Sequence, residues 1–211
     1  FQPDVTVTPV TSGFSTAPDS QSHHPPTPSR RPTGRETRAN HCPWKSNFVQ
    51  ASLIIEQLKE QGVTHIVGLP DNGSRTLFEQ LWADDTLPVI GVTREGEAFA
   101  VASGLYLGGA KPVVIMQNTG FLETGDAFRG TCYNMSLPIV MIMGYRGYGT
   151  MAPDSPRVDT AASFLEPTLK AWDIPYWLMH GNSDAHLIET AFDDARQRSR
   201  PSALLIVNHT N

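Results

Sequence analysis

Six short runs of apolar residues, many of them β-branched, recur along this chain with helical patterns between them. The runs cover residues 64–70, 88–93, 112–117, 138–145, 175–179 and 202–208. Most of them are apolar at consecutive positions, which is typical of strands that are covered on both faces. Strands that alternate with helices predict a parallel sheet built through right-handed crossovers. We therefore expect an α/β domain, a doubly wound, six-stranded and mainly parallel sheet with helices on both faces.

Helical patterns fill the intervals before and between these strands. They cover residues 48–62, 74–84, 95–108, 122–135, 159–172 and 184–199. Apolar side chains in the last of these repeat at helical spacing on one face. Pro167 is a candidate break in the fifth helix, because proline lacks the N–H that a helix interior needs.

The first 45 residues differ in composition from the rest of the chain. They hold eight of the chain's 17 prolines, and Ser and Thr fill most of the gaps. Such a segment buries too little apolar surface to offset the entropy lost on ordering. We expect a disordered tail over residues 1–45 and a folded domain over residues 46–211. The tail also resembles an organelle transit peptide, although a plain extension or a misplaced gene start fits better, since no amphipathic helix is evident.

Composition argues against several classes of partner. The formal net charge of -5 argues against nucleic acid, and no apolar run approaches the roughly 20 residues of a membrane span. The two cysteines, Cys42 and Cys132, match no metal spacing. We interpret them as free thiols in a reducing compartment, and expect a cytoplasmic protein. The histidines are scattered, so no metal site is predicted on this chain.

Candidate site residues follow the predicted strands, because ligands in doubly wound folds bind at the carboxyl ends of strands. Asp71 and Asn72 lie in the turn after the first strand, where they serve either as turn formers or as substrate contacts. Arg146 follows the fourth strand between glycines. Its guanidinium suits a carboxylate, sulfonate or phosphonate, and an ordinary surface ion pair is the alternative.

The run Gln117, Asn118, Thr119 and Gly120 follows the third strand. Its amide and hydroxyl groups suit the edge of a heterocycle, and its glycine permits a close approach. Local capping of the next helix is the alternative.

The third helix carries two acids at its head. Glu95 shares a face with small and apolar residues such as Ala98 and Ala102, whereas Glu97 shares the opposite face with Gly104. Attraction to the helix dipole accounts for one acid in a first turn, with a contribution of about 0.3–1 kcal/mol. It does not account for an acid beside a face that is expected to be buried.

These residues resemble a family. Glu95 and Gly104, separated by eight residues on a small-residue helix after a strand, resemble the pyrimidine-binding domain of thiamine diphosphate enzymes. The stretches GLPDNGS, MQNTG, MIMGYRG and FLEPTLKAWDIPY are similar, in that order, to the phosphonopyruvate decarboxylase and sulfopyruvate decarboxylase group, above all to the α subunit of the latter. The resemblance spans residues from about 47 to 208.

The resemblance implies roles for the candidate residues. Glu95 takes the place of the carboxylate that hydrogen-bonds N1′ of the aminopyrimidine and thereby helps the cofactor to lose its C2 proton. Gln117, Asn118, Thr119 and Gly120 lie where the family contacts the cofactor. Asp71, Asn72 and Arg146 would line the substrate side. Glu97 matches no family role, so we assign it to the helix dipole or to an interface.

Two departures from the family pattern bear on assembly and substrate. The G-D-G motif that holds Mg²⁺ and diphosphate is absent, since Gly125 and Asp126 lack the second glycine. We therefore expect Mg²⁺ on a separate β subunit that carries the diphosphate half. In addition, Val158 stands where the phosphonopyruvate group often has a histidine, which argues against phosphonopyruvate as the substrate.

The resemblance favours the cofactor-activating α subunit of a heteromeric 2-oxoacid decarboxylase of sulfopyruvate or phosphonopyruvate type. Three alternatives stay open. The chain is otherwise half of another thiamine diphosphate carboligase, a non-catalytic or regulatory subunit that keeps the fold, or a plain α/β binding domain.

Overall fold

The computed structural model describes residues 48–211 of the chain. The predicted tail over residues 1–45 and Cys42 lie outside these residues. The six helices are α1 (Ala51–Glu60), α2 (Arg75–Trp82), α3 (Glu95–Leu107), α4 (Asn118–Phe128), α5 (Thr160–Ala171) and α6 (His186–Arg198). The six strands are β1 (His65–Gly68), β2 (Val89–Gly91), β3 (Pro112–Gln117), β4 (Val140–Gly144), β5 (Tyr176–Met179) and β6 (Ser202–Ile206). No helix in the described part of the chain is long and apolar enough to cross a membrane.

The strands form one sheet in the order β2-β1-β3-β4-β6-β5, and every pair is parallel. This confirms the predicted α/β class. The chain passes from β1 outward to β2 and then returns to the other side of β1 with β3, so β1 and β3 flank a topological switch point. Ligands bind at such points in this class of fold. Gly68 ends β1 there, and a Cβ on it would collide with the backbone carbonyl of Ile115 in β3.

Alternate side chains of the strands enter two separate cores. Ile66, Ile115 and Ile142 face the layer that contains α1, α2 and α6. Val67, Val114 and Met141 face the layer that contains α3, α4 and α5. Both faces are covered, which explains why the strands are apolar at consecutive positions.

Two helices differ from the sequence expectation. Helix α4 begins at Asn118, directly after β3 and four residues before the predicted start. It bends at Gly125 (φ 9°, ψ −84°) and continues as a π-helical turn over Arg129–Tyr133. Helix α5 runs through Pro167 without a break. Pro167 is exposed, so water can satisfy the carbonyl that loses its helical partner there.

Candidate active site

Loops at the carboxyl edge of the sheet surround a cavity of about 450 Å³. Ile115, Ile142 and Ile206 form part of its apolar lining. Its polar lining comes from the end of β3 and from the segments after β1, β4 and β6: Asp71, Asn72, Gln117, Arg146, Tyr148 and His209. Four residues that the sequence singled out therefore meet around one cavity.

Glu95 lies beside the first turn of the neighbouring helix. It is half-buried as the first residue of α3, and its side chain rests against Gly120 of α4. A Cβ on Gly120 would lie 2.3 Å from Glu95 Cγ, 2.5 Å from its Oε1 and 2.7 Å from its Cδ. Gly120 thus allows a close approach, and in this chain the group that approaches is the Glu95 side chain; the expected approach of a heterocycle stays a prediction.

The two acids of α3 differ in their hydrogen bonds. The Glu97 carboxylate accepts from the backbone N–H of Thr93 at 2.9 Å and of Arg94 at 3.3 Å, and from the Thr93 hydroxyl. These bonds, led by that from the Thr93 N–H, lower the pKa of the Glu97 carboxyl. Within residues 48–211 the Glu95 carboxylate accepts no hydrogen bond and forms no ion pair. Glu97 therefore caps the helix, while Glu95 is available to a group from outside the chain.

Aromatic packing fixes α3 against α4. The buried Phe99 of α3 contacts Phe128 at a ring-centroid distance of 4.9 Å and Phe121 at 6.5 Å. At the surface, the Arg94 guanidinium pairs with Glu123 of α4, and this hydrogen bond raises the pKa of Arg94. The position of Glu95 over Gly120 is therefore held from the core and from the surface.

Asn118 is fully buried and bonded within the chain. Its Nδ2 donates to the carbonyls of Arg146 at 3.0 Å and Ala161 at 3.2 Å, and its Oδ1 accepts from Thr119 N at 3.1 Å. Both amide hydrogens are used, so Asn118 braces α4 against the β4 loop and α5. Helix α4 itself has Gln117 as its N-cap, without a capping side-chain hydrogen bond, and begins directly after β3.

Gln117 and Thr119 interact with each other. The Thr119 hydroxyl donates to Gln117 Oε1 at 2.7 Å. The Gln117 side chain borders the cavity, and its NH₂ group donates to no protein acceptor among residues 48–211. Gln117 therefore keeps a donor for a ligand.

Asp71 organises the turn between β1 and α2. Its carboxylate accepts from Gly73 N at 2.6 Å, from Ser74 N at 3.3 Å and from the Ser74 hydroxyl at 2.7 Å. It also lies close to Gly144, where a Cβ would be 3.5 Å from Asp71 Oδ2. Asp71 thus acts as a turn former while it lines the cavity, and Asn72 beside it is exposed.

Arg146 has a partner within the chain. Its Nε lies 3.3 Å from Asp159 Oδ2, and Asp159 also accepts from Ala161 N at 3.0 Å as the cap of α5. Gly147 beside it has φ +81°, and a Cβ there would lie 2.6 Å from Asp159 Cβ. The ion pair foreseen as an alternative is present, and the guanidinium still lines the cavity with 58% of its side chain exposed.

Sequence reasoning missed Tyr148 and the segment after β6, which contributes Asn208 and His209 to the cavity. The signal was available, because His209 follows the last strand just as Asp71 follows the first. Tyr148 follows Arg146 by two residues in a short 3₁₀ helix.

This chain is similar to known proteins in sequence and in fold. Residues 50–161, just over half of the chain, match the family model described as "Thiamine pyrophosphate enzyme, N-terminal TPP binding domain". The sulfopyruvate decarboxylase subunit alpha of Methanocaldococcus jannaschii is 28% identical over 72% of this chain and 89% of that protein. The phosphonopyruvate decarboxylase of Streptomyces viridochromogenes is 31% identical over 71% of this chain but only 37% of that protein.

Solved structures agree in fold. Benzoylformate decarboxylase from Polynucleobacter necessarius superposes with a TM-score of 0.61 at 17% identity, over 75% of this chain and 30% of that one. At that identity the likeness concerns the fold. The matched residues 50–161 include Glu95, Gly120 and Arg146. The chain therefore belongs to the family of thiamine pyrophosphate enzymes, through their N-terminal TPP binding domain.

Proposed function

We propose that this chain is the pyrimidine-domain (α) subunit of a thiamine diphosphate-dependent decarboxylase that acts on a 2-oxoacid of the sulfopyruvate or phosphonopyruvate type. Residues 46–211 form the pyrimidine domain. The observation that carries the proposal is Glu95, a half-buried carboxylate that has no partner in the described chain. It begins α3, and its side chain rests against Gly120 in the first turn of α4.

The residues around Glu95 suit an aminopyrimidine ring. A ring nitrogen needs a carboxylate that is not already bonded, and Glu95 meets that condition whereas Glu97 does not. Gln117 precedes Gly120 by three residues. Its NH₂ group has no protein acceptor in the described chain, and its oxygen accepts from the Thr119 hydroxyl. We assign Asn118 to positioning, since its amide is bonded to backbone carbonyls.

Glu95 would hydrogen-bond the ring nitrogen of the bound cofactor through a carboxylate oxygen, and Gly120 sets the position of the Glu95 side chain. When bound, thiamine diphosphate supplies the electron sink for breaking the bond between the carboxylate and the 2-oxo carbon. On the substrate side, Asp71 and Asn72 line the cavity wall and Arg146 offers a cation. The guanidinium lines the cavity while its Nε pairs with Asp159, so its other N–H groups can meet the substrate carboxylate.

A β subunit completes the site in this proposal and carries the diphosphate half with Mg²⁺. Two observations support it. The relative from M. jannaschii, whose name describes it as a subunit alpha, is matched over 89% of its length. On α3 three small or apolar residues, Ala100, Gly104 and Leu107, are exposed on one face. We further propose a reducing, cytoplasmic setting, which the free thiol of Cys132 suits.

The test is co-expression of this chain with a β subunit that carries the G-D-G motif. Carbon dioxide release from sulfopyruvate and from phosphonopyruvate is then measured with thiamine diphosphate and Mg²⁺. Glu95→Gln should lower the rate at least about 100-fold, the size of effect expected when a positioned proton-transfer group is lost. The matched control Glu97→Gln, two residues away on the same helix, should keep most of the rate.

Full activity in Glu95→Gln would contradict the proposed role of Glu95 in cofactor activation. A complex that assembles but releases no carbon dioxide from either acid would favour the regulatory-subunit alternative. Calorimetric titration of the complex with thiamine diphosphate provides a readout apart from turnover, because Glu95→Gln should weaken cofactor binding more than Glu97→Gln does.

A further inference from the structure

The polar groups around the cavity divide into two sets. The first set is bonded within the chain: Asp71 accepts from its own turn, Gln117 accepts from Thr119, and Arg146 pairs with Asp159. These contacts fix the first set in place and occupy the Asp71 carboxylate, the Gln117 amide oxygen and the Arg146 Nε.

The second set consists of Asn72, Tyr148 and His209. All three line the cavity, and none of their side chains forms a hydrogen bond to another described residue. Each carries a donor: an amide NH₂, a phenol O–H and an imidazole N–H. The imidazole also carries a positive charge when protonated. The second set thus adds three donors, from three separate segments of the chain, to the NH₂ group that Gln117 keeps.

The backbone beneath these donors is anchored. Thr210 donates to the carbonyl of Gly73 from both its backbone N and its hydroxyl, each at 3.0 Å, which ties the His209 segment to the turn that bears Asn72. The His209 carbonyl also accepts from Val49 N at 3.3 Å. The donors therefore stand on fixed supports, as recognition of a small ligand requires.

Tyr148 is held by ring packing. Its ring centroid lies 5.1 Å from that of Tyr145 and 5.7 Å from that of His180, the latter edge-on. The Tyr145 hydroxyl in turn donates to Glu166 of α5 at 3.1 Å. The Tyr148 ring is thus positioned without use of its own hydroxyl.

We infer that Asn72, Tyr148 and His209 determine specificity by binding the second acidic group of the substrate, the sulfonate or phosphonate oxygens. This rests on the proposed function and names the residues that distinguish such an acid from plain pyruvate. A tetrahedral anion has several acceptor oxygens, and three donors that line one cavity match it better than the single ion-paired guanidinium of Arg146. The Asp71 charge is compensated by three donors of its own turn.

The test compares sulfopyruvate with pyruvate, which lacks the second acidic group, in the co-expressed complex. Tyr148→Phe keeps the ring packing but removes the hydroxyl, and His209→Gln keeps a donor but removes the imidazole. Each should raise KM for sulfopyruvate about 10- to 100-fold, the range for loss of a hydrogen bond to a charged group, with a smaller change in kcat. Turnover of pyruvate should change little, so the selectivity ratio falls. His186→Gln, on α6 and outside the cavity lining, is the matched control.

A second readout does not need turnover. Histidine side-chain NMR of the full chain, titrated with sulfopyruvate, should show the His209 resonances moving while those of His186 stay. Unchanged selectivity in both variants, together with loss of activity in Glu95→Gln, would overturn the inference and leave the proposed function standing. Absence of turnover in the wild-type complex would count against the proposed function. The His209 titration would then still decide whether the cavity binds such an acid.

Discussion

Substitution of Gly120 by alanine tests whether the placement of Glu95 matters for activity. The new Cβ would lie 2.5 Å from Glu95 Oε1, whereas real Cβ atoms essentially never approach closer than 3.0 Å and ordinary contact begins at 3.4 Å. Its distance to Glu95 Cγ would be shorter still, 2.3 Å, so to reach ordinary contact at 3.4 Å the Cγ must retreat by about 1.1 Å and the oxygen by about 0.9 Å. A misplacement of about 1 Å can lower a rate about 100-fold.

The same substitution should leave folding almost unchanged. Alanine in place of glycine within a helix stabilises by roughly 0.5–1 kcal/mol. The atoms that must move belong to the side chain of Glu95, and an off-rotamer side chain costs about 0.5–1.5 kcal/mol. These effects oppose each other, so we expect the free energy of unfolding of Gly120→Ala to stay within about 1 kcal/mol of wild type. Gly120→Ala should therefore lower the rate while the free energy of unfolding stays almost unchanged.

Two assays decide the outcome. Urea unfolding of the full chain measures stability, and carbon dioxide release by the co-expressed complex measures activity. Gly130→Ala is the control, since Gly130 is exposed in the π-helical turn and a Cβ there meets nothing within 4 Å. A fully active Gly120→Ala would refute the claim that Gly120 sets the Glu95 position. If the free energy of unfolding fell enough to account for the lower rate, the contact would serve folding instead.

Three further predictions concern stability and assembly. Asn118→Ala should lose about 1–3 kcal/mol in urea unfolding, because two part-buried carbonyls lose their donor; a loss below about 0.5 kcal/mol would contradict the bracing role. Asp84 has its pKa lowered to about 2 from an ordinary 3.8, first by Lys59 and then by Thr86. It therefore stabilises the fold above pH 4 and loses that contribution as the pH falls to 2, so Asp84→Asn should show a shallower decline in melting temperature over this window. Gly104→Ala, with nothing within 4 Å of the added Cβ, should stabilise the single chain by about 0.5–1 kcal/mol yet weaken binding to the β subunit in calorimetry, whereas unchanged binding would show that this face stays open.

The fold class followed from the sequence because each strand carries its own signature. Consecutive apolar residues predicted strands buried on both faces, and Ile66 and Val67 do enter opposite cores. The order β2-β1-β3-β4-β6-β5 was beyond reach, since strands with two apolar faces give no pattern that selects their neighbours. The order depends on long-range packing among helices, which local periodicity does not encode.

The site was predicted only in part, for a related reason. The rule that ligands bind at the carboxyl ends of strands found Asp71, Gln117 and Arg146, and all three line one cavity. What each side chain does there depends on partners that are distant in sequence. Asp159 pairs with Arg146, and the carbonyl of Ala161 accepts from Asn118. Spacing alone identifies neither contact.

Helix α3 shows how the same local chemistry separates into two roles. Glu95 and Glu97 both benefit from the helix N-terminus, but they point to opposite sides of the helix. On one side, backbone donors from residues 93 and 94 already satisfy the carboxylate of Glu97. On the other side, Glu95 is half-buried and forms no hydrogen bond to a described residue. The difference between the two acids therefore comes from their neighbours, because Thr93 and Arg94 supply donors to Glu97 whereas the residue that faces Glu95 is Gly120. This difference is why the proposed role in cofactor activation goes to Glu95 and not to Glu97.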